Sequence, residues 1–248
     1  MYKKKIQNKK TDIHGNQCTE VTYKSVLFKD KANINHRSED DYLSNIWELA
    51  AAVRTNNSDI YFDSRFMNGE QKHYPKHAEC DYSSEDNKRE TEKRICRCMN
   101  YYDDTSSKCK SCNLIRKWKN VGEQYHVINY EVPTDYVVST VGGIDLLLEC
   151  LDGTKYAVEL KPENSKETLV RMMAEIITVN SYKNENYEPA ICFFKDSLQW
   201  KDFLNPVIQQ DTAFQYLLSK IIVFYITYEQ HADIVQYVIH NYKDESII

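Results

Sequence analysis

Residues 142–162 read Gly-Gly-Ile-Asp-Leu-Leu-Leu-Glu-Cys-Leu-Asp-Gly-Thr-Lys-Tyr-Ala-Val-Glu-Leu-Lys-Pro. No other stretch restricts the fold as tightly. Two apolar runs flank an Asp-Gly turn, with Asp145 inside the first run and Glu159 and Lys161 inside the second. Successive side chains of a strand point to opposite faces, so Glu159 and Lys161 share one face while Val158 and Leu160 share the other. A two-residue Asp152-Gly153 turn would set Asp145 opposite Leu160, on the wrong face. A three-residue loop of Leu151, Asp152 and Gly153, with Gly153 left-handed as a bulge, pairs Cys150 with Thr154 and sets Asp145 across from Glu159. Cross-strand partners are near neighbours, close enough for two carboxylates to share a metal. Charges inside apolar strands are costly unless a cation or a reacting phosphate occupies the gap between them.

The constellation of Asp145, Glu159 and Lys161 resembles the PD-(D/E)XK nuclease superfamily over roughly residues 111–228. That family has a restriction-endonuclease-like α/β core in the order helix, three strands, helix, strand, with a mixed central sheet flanked by helices. The matching segments here are a helix over 112–120, strands over 125–131, 144–150 and 156–161, an amphipathic helix over 166–182 and a strand over 190–194. The resemblance implies that Asp145 and Glu159 bind Mg²⁺ or Mn²⁺ and that Lys161 positions or activates the attacking water. It also implies that the following helix lends a polar group, for which Glu175 is the candidate. A further acid on the first core helix falls to Glu48 or Glu123, between which the sequence does not decide. One departure from the family pattern is that Gly142, Gly143 and Ile144, and no proline, precede Asp145.

An acid-x-Lys triplet alone is common by chance; its value here comes from the hairpin partner that carries Asp145 on the matching face. The competing structure is an amphipathic hairpin whose polar face meets solvent, with Glu159 and Lys161 as a surface pair contributing little. That alternative leaves Asp145, enclosed by apolar neighbours, without an explanation. For Glu175 the competing role is an i,i+4 surface pair with Arg171.

Eight cysteines in a chain whose N-terminus lacks the apolar stretch of a signal peptide argue against a disulfide framework. Five of them, Cys80, Cys96, Cys98, Cys109 and Cys112, crowd into residues 77–112. Cys96-x-Cys98 and Cys109-x-x-Cys112 form two thiolate pairs that suit tetrahedral Zn²⁺, with Cys80 or His77 able to replace one member. An iron–sulfur cluster is the second choice, because the cysteines do not flank the core on both sides. Lys108, Lys110, Arg116, Lys117 and Lys119 follow with no acid among them, a candidate clamp for a nucleic-acid backbone. A solvated helix face is the alternative.

The formal net charge of −5 supplies no global basic field, so any nucleic-acid contact must be local. No run approaches a membrane span, which points to a soluble, cytoplasmic protein. Within the 248 residues we expect an N-terminal extension over 1–110 and a nuclease core over 111–248. The extension holds a helix over 38–56, with Leu43, Ile46, Trp47, Ala50 and Val53 as its stripe, and the Cys-rich module over 77–112. Toward the C-terminus a helix opened by Asn205 and Pro206 runs to 218, a strand covers 221–228 and an amphipathic helix covers 234–242. The expected function is Mg²⁺-dependent hydrolysis of phosphodiester bonds, in DNA ahead of RNA and by endonuclease ahead of exonuclease action. A homodimer or partner protein is compatible with it. The alternatives are a zinc-containing nucleic-acid-binding protein with a vestigial site, and a structural or interaction protein.

Overall fold

The strand Lys155–Lys161 is buried along nearly its whole length, which requires cover on both faces and a central place in a sheet. In a computed structural model of the chain it lies inside a seven-stranded mixed sheet. The structure describes residues 8–11, 17–20, 39–55, 92–103, 115–133, 143–179, 187–232 and 234–245. His77, Cys80, Lys108, Cys109, Lys110 and Cys112 lie outside them.

Nine strands are described: β1 (Asn8–Thr11), β2 (Gln17–Glu20), β3 (Ile115–Trp118), β4 (Tyr125–Pro133), β5 (Gly143–Cys150), β6 (Lys155–Lys161), β7 (Tyr187–Phe194), β8 (Ile222–His231) and β9 (Ile234–Asn241). The first two form an antiparallel pair; the others form the large sheet in the order β3-β9-β8-β7-β6-β5-β4. Strands β4, β5 and β6 run antiparallel in turn, β6, β7 and β8 run parallel, and β8 and β9 form a hairpin. Parallel neighbours need crossovers. The helix α3 (Leu169–Val179) links β6 to β7, and three short helices, α4 (Leu198–Leu204), α5 (Pro206–Gln210) and α6 (Thr212–Leu218), link β7 to β8.

Two apolar clusters sandwich the sheet. On one face Leu147, Ala157, Ile191, Phe193, Val223 and Tyr225 meet α1 (Glu39–Thr55), α3 and the α4–α6 helices. The α3 stripe of Leu169, Met172, Met173 and Ile176 is fully buried there, as its 3.6-residue period demands. On the other face Leu146, Tyr156, Val158, Leu160, Phe194 and Phe224 meet Ile95, Cys96 and Met99 of α2 (Glu92–Asp103). A four-residue helix α7 (Tyr242–Glu245) follows β9.

Four sequence expectations change. The helix expected over 112–120 is replaced at 115–118 by β3, whose Trp118 is buried and stacks on Tyr237 at 4.8 Å. Among the described residues the helix that precedes β3 is α2, which carries Cys96 and Cys98. The C-terminal helix expected over 234–242 is β9: Val235, Tyr237 and Ile239 alternate into the core, a period of two that β-branched residues favour. The single helix expected from Asn205 to 218 breaks at Asp211, whose extended backbone (φ −73°, ψ 127°) caps α6 by accepting from Ala213 and Phe214 N–H. Finally, Trp47 does not face the core of α1. It is 54 % exposed and donates from Nε1 to Asp211 Oδ2 at 2.7 Å, while Tyr42 and Leu49 fill the stripe.

Candidate active site

The hairpin between β5 and β6 has the three-residue loop that the register requires. Cys150 N–H donates to Thr154 O at 2.8 Å, Gly153 N–H donates to Cys150 O at 2.9 Å, and Gly153 stands at φ +82°. Pairing runs from Glu149–Lys155 to Leu146–Val158. One step further stands Asp145, on the face of Glu159, where its Oδ2 accepts the N–H of Leu160 at 2.8 Å.

Around that face four carboxylates gather on one ammonium. Lys161 Nζ lies 2.7 Å from Glu159 Oε1, 2.8 Å from Glu92 Oε1, 3.1 Å from Glu167 Oε2 and 3.7 Å from Glu175 Oε2. Arg171 ties the outer pair together, with Nε 3.2 Å from Glu167 Oε2 and Nη2 3.4 Å from Glu175 Oε1. Each group comes from a different constraint. Glu159 and Lys161 follow from strand alternation. Arg171 and Glu175 are one helical turn apart on α3. Glu92 shares the buried stripe of Ile95, Cys96 and Met99 at helical spacing, in the first turn of α2, where a carboxylate suits the helix dipole.

Glu167 belongs to no regular element. Its segment is held by Gln199, fully buried on α4, whose Nε2 donates to the carbonyls of Ser165 and Glu167. Thr168 Oγ1 accepts from Arg171 N–H at 3.3 Å, and Tyr42 Oη accepts from Leu169 N–H at 3.2 Å while donating to Asp202. The α1 and α4 helices thus fix the start of α3.

The electrostatics follow from this crowding. Burial pushes Asp145 up to about 7 against the pull of Lys161, and the charge of Glu92 adds to the push. Glu159 is raised well above the carboxylate range, first by burial and then by the charge of Asp145. Burial alone would depress Lys161, but Glu159, Asp145, Glu92 and Glu175 overcome it and hold the ammonium protonated, above the ordinary lysine value. Five carboxylates face two cations, so the fully ionised cluster carries an excess of negative charge whose inner members, Asp145 and Glu159, are poorly hydrated.

That excess, made of oxygen donors, suits a hard divalent cation such as Mg²⁺ or Mn²⁺. Among the described residues no three such side chains already stand in a coordinating arrangement; the ammonium of Lys161 is the cation they surround. Glu159, Glu92, Glu167 and Glu175 are the donors nearest to it.

The structure brings together Asp145, Glu159, Lys161 and Glu175. It adds Glu92, Glu167 and Arg171, which the sequence reasoning did not assign to the site. Glu48 on α1 and Glu123 in a turn are both exposed, whereas Glu92 on α2 meets Lys161. Cys96 is buried in the apolar cluster and Cys98 is half-buried beside it. Two residues apart on a helix, they do not face each other as a chelating pair would. Lys117 and Lys119 are exposed, on and just after β3, and the side chain of Arg116 is not described. Strand β3 lies four positions from β6, so this basic group sits roughly 19 Å across the sheet from the carboxylates.

No known protein family matches the chain. No curated protein matches it either. A solved structure of Pyrococcus furiosus SfsA in complex with Ca²⁺ aligns with it at 14 % identity and a TM-score of 0.28, over 48 % of this chain and 54 % of that one. The chain thus spans about half the length of that protein, and a likeness of this size bears no weight on fold or function. No helix among the described residues is long and apolar enough to cross a membrane.

Proposed function

We propose that this chain is a divalent-metal-dependent nuclease that hydrolyses phosphodiester bonds, in DNA ahead of RNA. The observation that supports it most is the convergence of Asp145, Glu159 and Lys161 with Glu92, Glu167 and Glu175 in one buried, negatively overcharged cluster. Asp145 and Glu159 would hold Mg²⁺ or Mn²⁺, which supplies acidification of water and neutralisation of charge on the phosphate. Lys161, held protonated, would donate to a phosphate oxygen as negative charge develops there. Glu175, braced by Arg171, keeps the ammonium aimed along the end of β6. The Cys-rich segment over 77–112 is proposed to hold Zn²⁺, with Cys80, Cys109 and Cys112 as its thiolates. Elemental analysis of protein purified without chelator checks this, and a metal content of zero removes it.

A second reading has its own support. An ammonium surrounded by four carboxylates is also what a purely structural ion network would present, and the protein would then be a binding module without hydrolysis. Cleavage assays on plasmid, linear and single-stranded DNA and on RNA, with Mg²⁺ or Mn²⁺, separate the two. The nuclease reading expects activity that Asp145→Asn, Glu159→Gln and Lys161→Ala each abolish. Cleavage that survives all three, or none by the wild type on any substrate, favours the binding module.

A further inference from the structure

The strand register builds a ledge beyond the site. Lys161 is level with Phe193 on β7 and Tyr225 on β8. Strand β6 stops there and β7 stops at Phe194, level with Ile226, whereas β8 continues through His231. Past that point, among the described strands of the sheet, β8, β9 and β3 remain paired. Trp118, Tyr237 and Tyr228 stand opposite one another across these three strands.

Their rings form a row. Trp118 stacks on Tyr237 at 4.8 Å and 23°, and Tyr237 meets Tyr228 at 5.8 Å. Trp118 and Tyr237 are buried, but Tyr228, at the end of the row nearest β6 and β7, is 41 % exposed. Phe194 supports it edge-on at 6.2 Å. Its hydroxyl donates to both oxygens of Glu163, at 3.1 and 3.3 Å, and Glu163 lies two residues beyond Lys161. A ring left this open ordinarily moves about; this one is tethered to the segment that leaves the candidate active site.

We propose that Tyr228 is a stacking platform for an unpaired nucleobase of the substrate strand, an inference that rests on the nuclease reading. Counting three residues along β8 and two strands across puts its backbone roughly 14 Å from that of Lys161, with the ring on the Phe194 and Phe224 face of the sheet, so a strand of a few nucleotides would reach it around the ends of β6 and β7. A phosphate is a poor occupant, because Glu163 and Asp196 place negative charge beside the ring. A base suits the place: its π-face continues the Trp118–Tyr237–Tyr228 row, and its amino groups can donate to the Glu163 carboxylate. Stacking of this kind tolerates any base, so it selects single strands over duplexes rather than one sequence over another.

The test uses full-length protein carrying Asp145→Asn, in chelator, with fluorescence anisotropy on labelled DNA and RNA strands of roughly 12 nucleotides and on the matching duplex. The parent should bind single strands more tightly than duplex. Adding Tyr228→Ala or Tyr228→Leu should weaken single-strand binding roughly tenfold or more, whereas Tyr228→Phe and Tyr228→Trp should preserve it. The leucine variant keeps apolar bulk against Phe194 and Tyr237, so a loss in both Ala and Leu variants is not a folding defect. If Ala and Leu bind as the parent does, or Phe loses as much as Ala, the platform is wrong and the nuclease reading stands. If the parent binds no strand at all, the nuclease reading falls and the platform with it. The ratio of DNA to RNA affinity then reports which strand the ledge accepts.

Discussion

Strand β6 presents two physical regimes on one backbone. Val158 and Leu160 enter an aromatic and aliphatic layer with Phe224 and Tyr156, while Glu159 and Lys161 enter the carboxylate cluster. Both sides are dry: Glu159 is 5 % exposed and Lys161 is 3 % exposed, hardly more than their apolar neighbours. The difference is therefore one of chemistry, not of access to water. The apolar face gains from burial what the charged face loses by it, so the first can hold the second in an arrangement that the charges alone would not adopt.

Several substitutions would break or sharpen that contrast. The largest effect is expected on the apolar face. Phe224 is fully buried and makes edge-on contacts with Tyr125 at 5.7 Å and Tyr156 at 5.1 Å. Phe224→Ala should cost about 3–5 kcal/mol in urea unfolding. On the charged face the sign should reverse. Asp145→Asn in chelator should leave stability at pH 8 unchanged or higher, by roughly 1–4 kcal/mol, because it removes one negative charge from an overcharged cluster. A loss as large as that of Phe224→Ala would show that the two faces do not differ in this way.

The pH dependence of that gain follows from the raised Asp145. Burial lifts its folded value to about 7, above the unfolded carboxylate value, so the acid favours folding below about pH 4 and loses that contribution as pH rises through 7. The margin of Asp145→Asn over the wild type should be absent near pH 4, grow between pH 4 and 7 and level off above it. Thermal melts of both proteins across that range measure it, and a margin independent of pH would contradict the assignment. A smaller effect, about 1–3 kcal/mol, is expected for Gln199→Leu, which leaves the Ser165 and Glu167 carbonyls without their donor. Under the proposed nuclease reading, Mn²⁺ binding followed by calorimetry should weaken alongside, because Glu167 is no longer held beside Lys161.

The contrast also explains what the sequence disclosed. Strand alternation and turn length are local, and with them Asp145, Glu159, Lys161 and the β5–β6 loop were all legible. So were the buried stripe of α3 and most of that of α1. Glu92 carried a signal as well, since Ile95, Cys96 and Met99 follow it at helical spacing, but cysteine spacing drew the segment toward a metal module. In β9 the same five apolar residues fit a helical or an alternating pattern, and only pairing with β8 decides between them. Glu167 had no local signal. It sits beside Lys161 because Gln199, thirty-two residues later, holds its backbone.

The bulged hairpin loop has a consequence for how this chain can vary over generations. Leu151 is 72 % exposed, and a side chain added at Gly153 would meet nothing within 4 Å. Side chains there meet no neighbouring residue, but at Gly153 a β-carbon crowds its own left-handed backbone, so Gly153→Ala should cost about 1–2 kcal/mol, as a melting curve can verify. Loss or gain of a single residue is another matter. It exchanges inside for outside along one strand relative to the other, so Asp145 parts from Glu159 and turns toward the layer of Val158 and Leu160, and the site is lost. The loop is thus open to other side chains at Leu151, held to a left-handed backbone at Gly153 and constrained in its count, and that last limit a tally of tolerated point mutations would miss and a library of insertions and deletions would expose.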